Sequence, residues 1–233
     1  MADQGVSNER KRELEQMDPF QEAMVKGLNY VAENKKLLMM IFGAVVVAGV
    51  IFSITMYNFR QSEIKASQMV AKAGADYAES ISKDQDPQKG YEAVKEQFET
   101  IFDKYANTSA GRMARVSYAK ICFDAKEYDK AYDLYNEALE NIGNEAGMEN
   151  FLLSALGNLA QLKNDPEKAK SYYLRIENGT SDLMKDEARF ALALIYASEN
   201  DLESSLKMYE KIVKENEDSL YRTIAEYRAS GMQ

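Results

Sequence analysis

Hydrophobic and polar positions divide the chain into three stretches. From Leu37 to Tyr57 it reads LLMMIFGAVVVAGVIFSITMY, 21 residues without a charge. As a helix rising about 1.5 Å per residue, this run spans roughly 31 Å, close to the ~30 Å hydrocarbon core of a bilayer. A helix apolar on every face suits lipid better than the surface of a folded domain, where one side meets water. Lys35 and Lys36 end the run on one side and Tyr57, Asn58 and Arg60 on the other, as interfacial anchors do. The pattern predicts a transmembrane helix over 37–57, a tail over 1–36 and a large polar domain over 58–233.

Beyond Asn58, apolar residues recur every three or four positions, and only Pro87 and Pro166 interrupt. That pattern predicts an all-α domain with no alternating strand. It also repeats. YEAVKEQF, YDKAYDLY, PEKAKSYY and LESSLKMY begin at Tyr91, Tyr128, Pro166 and Leu202, and their closing aromatics are Phe98, Tyr135, Tyr173 and Tyr209, spaced 37, 38 and 36 residues apart. Four positions before each aromatic stands a small or modest residue: Val94, Ala131, Ala169 and Ser205. After the last repeat, Leu220, Tyr221, Ile224 and Tyr227 predict one face of a closing helix.

In the tail, Asp18-Pro19 reads as a helix start, with Asp18 as cap and Gln21 three residues on. Phe20, Met24, Leu28 and Val31 follow at helical spacing, predicting a short amphipathic helix on the membrane surface or, alternatively, a docking helix for a cytoplasmic partner. The charged residues before Asp18 predict disorder. The apolar run starts too late and is too long for a cleaved signal peptide, so it reads as a signal anchor. The tail carries Arg10, Lys11, Arg12, Lys26, Lys35 and Lys36, against Arg60, Lys65 and Lys72 just after the run. Within twenty residues of either end the count is even, so the excess comes from Arg10, Lys11 and Arg12. The bias places the tail in the cytoplasm and the domain outside. Ala44, Ala48, Gly49 and Ser53 offer the small-residue spacing that lets helices approach, although a lone anchor in lipid is the simpler reading.

The net charge of −9 lies mostly in the domain: 6 Lys/Arg and 7 Asp/Glu fall in residues 1–36, leaving 23 against 31 beyond. Such a domain repels phosphate backbones, so nucleic acid is not an expected partner. The chain has no histidine, which removes the commonest general base and metal ligand. A single cysteine, Cys122, excludes an intrachain disulfide and reads as a small core residue. There is no phosphate-binding glycine motif, and the many carboxylates read as solvated helix faces. Asn107-Thr108-Ser109 and Asn178-Gly179-Thr180 match a glycosylation pattern and read as turns. No enzyme activity, cofactor, metal or small-molecule substrate is expected.

The repeating segments resemble the tetratricopeptide repeat, a 34-residue helical hairpin with a small residue at position 20, an aromatic at 24 and a small residue at 27. Ala131, Tyr135 and Ala138 match all three, while Leu156-Gly157, Leu192-Ala193 and Tyr118-Ala119 match the large-small pair of the first helix. Arg115 and Arg189 depart from the pattern, occupying position 4 where a large apolar residue is usual. The resemblance implies a solenoid of about three to four hairpins, the first helix of the first hairpin lying within Ser62 to Ile81 and running on from the apolar stretch. KYANTSAG, from Lys104, resembles the loop before the next unit. The repeat's concave face would draw on Met113, Val116, Lys120 and Phe123, then Phe151, Ser154, Asn158 and Leu162, then Phe190 and Leu194. Val116, Ala155, Glu187 and Ala191 stand where cytoplasmic chaperone adaptors carry their carboxylate clamp. The resemblance therefore implies a face that holds an apolar helix or extended segment of a protein. The closing helix, through Leu220, Ile224 and Tyr227, is a rival occupant.

The whole arrangement also resembles the ancillary Sec-translocon subunit (YfgM-like) family, on EAMVKGLNYVAENKKLL and YNFRQSEIKASQMVAKAGADY around the apolar run. That resemblance implies a bacterial inner-membrane protein, N-terminus cytoplasmic, whose periplasmic repeats link the Sec translocon to chaperones, with no catalytic residues. A repeat adaptor of another envelope or secretion complex, or an accessory subunit of a membrane enzyme complex, would share the fold.

Overall fold

The computed structural model describes residues 19–143 and 147–231. The charged leading stretch and Asp18, the expected cap, lie outside the described residues. Two compact units make up the chain, residues 1–59 and residues 60–233. Among the described residues there are ten helices and no strand.

In the first unit, α1 (Pro19–Glu33) is followed by the opening of α2 (Lys35–Asp84). The backbone ladder carries on through Asn34, whose N–H donates to Tyr30 O while Leu38 N–H donates to Asn34 O. No residue from Phe20 to Phe59 is buried, although most of them are apolar. Among the described residues α2 is the one helix long and apolar enough to cross a membrane, and none of its most apolar segment is buried within the chain.

In the second unit, the later part of α2 meets α3 (Pro87–Tyr105), where Gln97 Nε2 donates to Asp76 at 2.7 Å and Gly90 lies against Tyr77. Beyond them α4 (Ser109–Asp124) pairs with α5 (Tyr128–Ile142), α6 (Met148–Leu162) with α7 (Pro166–Asn178), and α8 (Lys185–Ser198) with α9 (Leu202–Glu215); α10 (Arg222–Gly231) closes the series. The hairpin turns are built alike. Gln85, Lys126, Asn164 and Asn200, each just past a first helix, take positive φ of 51°, 64°, 57° and 65°. In the last three turns, that residue and its successor donate backward, as Lys126 N–H does to Phe123 O and Glu127 N–H to Cys122 O. This left-handed stop satisfies carbonyls that the helix end would otherwise orphan. The next residue starts the second helix: Asp86, Asp165 and Asp201 each accept a backbone N–H from the first turn, and Pro87 and Pro166 occupy first-turn positions that need no donor.

The repeating aromatics pack as the register requires. Phe98, Tyr135, Tyr173 and Tyr209 are buried, as are Val94, Ala131, Ala169 and Ser205. Fully burying one such large side chain contributes about 1.5–3 kcal/mol. Gly157 shows why the first helix needs a small residue: a Cβ there would lie 2.6 Å from the Tyr173 ring. Tyr118 stacks on Phe98, centroids 4.5 Å apart, and so joins the first two hairpins. Between them, Glu63 on α2 accepts from the Ser109 and Ala110 N–H groups at 2.8 and 2.7 Å, capping α4.

The closing helix differs from expectation. Leu220, Ile224 and Tyr227 face solvent, and Leu220 is almost fully exposed. A turn over 216–221 delays α10 to Arg222 and changes its phase, so Ala225 is the residue buried. Tyr221, in that turn, packs on the core.

Candidate partner-binding groove

The first helices of the last three hairpins, α4, α6 and α8, present their inner faces to one groove of about 250 Å3. Phe123 comes from α4 and Phe151 from α6; Tyr135, reaching from α5, and Met184, at the start of α8, complete the apolar lining. Lys120, Ser154, Asn158 and Glu187 supply its polar atoms. Asn150, buried on α6, donates to Leu183 O at 2.7 Å and Ser181 O at 3.3 Å, fixing the connection that precedes α8. Met184 takes a left-handed φ of 61° there, turning the chain into α8 at the groove wall.

The polar atoms form a chain. Ser154 Oγ donates to Glu187 Oε1 at 2.7 Å, with Asn158 Nδ2 at 3.5 Å from the same oxygen. Tyr173 O–H donates to Asn158 Oδ1 at 3.0 Å and accepts from Gln161 Nε2 at 3.0 Å. Burial, aided by the nearby Glu187 charge, pushes the Tyr173 phenol well above its usual range, so it remains a donor. Burial first, then Asp124, pushes Tyr135 up to about 12.

Of the residues the register assigned to the concave face, the structure brings Lys120, Phe123, Phe151, Ser154 and Asn158 into this groove. Ser154 is the most buried of these, lining the groove floor through its hydroxyl, while Val116 packs half-buried against the core. Met113 is exposed outside the groove. Leu162 is also exposed, and Leu194 lines a separate depression with Gln161, Pro166 and Ser198. Phe190 is covered: Tyr221 stacks on it at 4.6 Å, with Tyr209 edge-on at 6.1 Å. The chain's own C-terminal segment thus seals this end of the face, but through Tyr221, not through Leu220, Ile224 and Tyr227. Sequence reasoning missed Met184, which sits in a connection with no periodicity to mark it, and gave Glu187 significance only as a missing clamp residue. Among the described residues no cluster of three His, Cys, Asp or Glu could hold a metal ion.

A solved tetratricopeptide repeat protein from Parabacteroides merdae ATCC 43184 is similar to this chain, with a TM-score of 0.55 and 17% identity over 71% of this chain and 60% of that one. At that identity the likeness carries the fold alone, and the chain matches only about three-fifths of that protein's length. No curated protein matches the chain. The family model for a tetratricopeptide repeat matches residues 186–219, which take in α8 and α9. Residues 29–150, just over half of the 233, match the model for a tetratricopeptide repeat-like domain, a stretch that begins within α1 and includes the whole apolar run. The chain belongs to the tetratricopeptide repeat-like domain family.

Proposed function

We propose that this protein is a membrane-anchored repeat scaffold of the bacterial envelope, non-enzymatic, that holds protein partners in its concave groove. Tetratricopeptide repeats generally mediate protein–protein interactions, and the open apolar groove between three first helices carries that reading here. Phe123 and Phe151 are its anchors; Met113, Val116, Leu162 and Leu194 lie outside it, and Phe190 contributes only if Tyr221 moves aside. In this reading residues 1–36 form a cytoplasmic tail, 37–57 a signal anchor and 58–233 a periplasmic domain. The charge-free length of the apolar run, and the larger number of Lys and Arg before it than just after it, support that topology. The flanking resemblance to the ancillary Sec-translocon subunit family favours the translocon and periplasmic chaperones as partners.

Affinity purification of the tagged full chain from membranes in mild detergent tests the proposal. Recovery of translocon and chaperones, lost in Phe151→Ser, is the expected result. Recovery of a different assembly rejects the Sec assignment, and recovery that survives Phe151→Ser rejects the groove. A C-terminal reporter active only in the cytoplasm rejects the orientation.

A further inference from the structure

The polar atoms of the groove are not balanced. Glu187 Oε1 accepts from Ser154 and Asn158, while Oε2 accepts from no described residue, and no described cation pairs with this carboxylate. Lys120, the cation on the groove wall among the described residues, is engaged elsewhere: its ammonium lies 2.5 and 2.6 Å from the two Asp124 oxygens. It also sits over the Phe123 ring, at 5.9 Å. The groove therefore offers one uncompensated negative charge at the edge of an apolar floor made by Phe123, Tyr135, Phe151 and Met184. A half-buried carboxylate with a free oxygen favours a ligand that brings a donor or positive charge to it. The surplus of acid over base beyond the apolar run, 31 against 23, adds a long-range field of the same sign.

We infer that the groove selects a polypeptide segment that places a cationic side chain, lysine or arginine, on Glu187 directly beside an apolar side chain seated on Phe123 and Phe151. This inference rests on the proposed groove binding and adds the chemistry of its occupant. A segment ending in a carboxylate or carrying an acidic residue at that place is disfavoured by the same charge. The volume of about 250 Å3 suits a large apolar side chain with its immediate neighbour, not a whole helix.

Three fluorescein-labelled peptides test it against the full chain in detergent micelles: one with a central Leu-Leu-Lys in neutral polar flanks, and two with that lysine replaced by glutamine or glutamate. Fluorescence anisotropy should rank them lysine, glutamine, glutamate. The lysine peptide should bind roughly two- to five-fold tighter than the glutamine one, a margin that shrinks as salt rises. Glu187→Gln, which retains an acceptor for Ser154, should abolish the ranking without abolishing binding. Phe151→Ser should weaken all three. Equal affinities lost in Phe151→Ser overturn the charge selection and leave the groove standing, whereas no binding by any peptide overturns both. A ranking that persists in Glu187→Gln overturns the assignment to this carboxylate. Concentration-dependent dimers that Phe151→Ser dissolves overturn it too, since a second copy is then the occupant.

Discussion

The second and fourth hairpins carry an arginine at the same repeat position, and the two arginines behave differently. Arg115, on α4, meets one exposed carboxylate, Glu137, at 2.9 Å and lies over the Phe102 ring at 5.3 Å. Arg189, on α8, is buried and donates three ways: to Glu177 at 2.7 Å, Glu215 at 2.5 Å and Asn216 Oδ1 at 2.7 Å. Glu177, as buried as Arg189, also pairs with Lys211. The two acids and two bases cancel, which is what allows a guanidinium to stay where an apolar side chain is usual. The difference teaches that one departure from the repeat pattern serves two ends. Around Arg115 it decorates a hairpin whose inner face stays open; around Arg189 it bolts α7, α8 and the end of α9 together at the terminus that Tyr221 seals.

Replacing each arginine by alanine tests this contrast most strongly. Arg189→Ala leaves Glu177 buried with Lys211 alone, and should lower the unfolding free energy of the full chain by about 3 kcal/mol in denaturant titrations. Arg115→Ala should lower it by about 1 kcal/mol or less; equal losses would erase the distinction. Acid is the next probe. Burial alone would raise the Glu177 carboxyl, but hydrogen bonds and charge from Arg189 and Lys211 outweigh it and hold the group below its ordinary value. A carboxyl depressed on folding contributes stability above its unfolded pKa and loses it as pH falls through the folded one. Stability should therefore be lost as pH falls below the ordinary carboxylate range, and lost less steeply in Arg189→Leu than in the parent. Tyr221→Ala should cost about 1 kcal/mol, the scale of one aromatic pair, with a non-additive response when combined with Phe190→Ala. Smallest of all, Phe151→Ser should shift stability by no more than about 0.5 kcal/mol, because the ring is already partly exposed. A large loss there would mean that the open groove is structural core.

Much of the fold was legible because the repeat is enforced by close contacts between neighbours. Tyr173 can fill its gap only where Gly157 leaves one, so an aromatic and a small residue recur in register and betray the repeat. The hairpin turns were half legible: Asn164 and Asn200 are ordinary left-handed stops, whereas Gln85 and Lys126 hold the same conformation without advertising it. The site was less legible. Phe123 and Phe151 followed from the register, but Met184 is placed by the buried Asn150 holding a connection, and Tyr221 by a turn that shifts the phase of α10. The partners of Arg189 lie 12 to 27 residues away, at separations set by how the hairpins stack and not by any helical period.

The lone thiol has a practical consequence. Cys122 is fully buried on α4, and burial pushes it up to about 12. Burial thus keeps the thiol protonated at ordinary pH and behind packed side chains. To a water-soluble maleimide, the folded protein is a cysteine-free chain as it stands. A cysteine engineered at an exposed position such as Leu162 or Leu220 would react alone, so each face of the solenoid, and each side of the apolar run, can be mapped one label at a time without first removing a core residue.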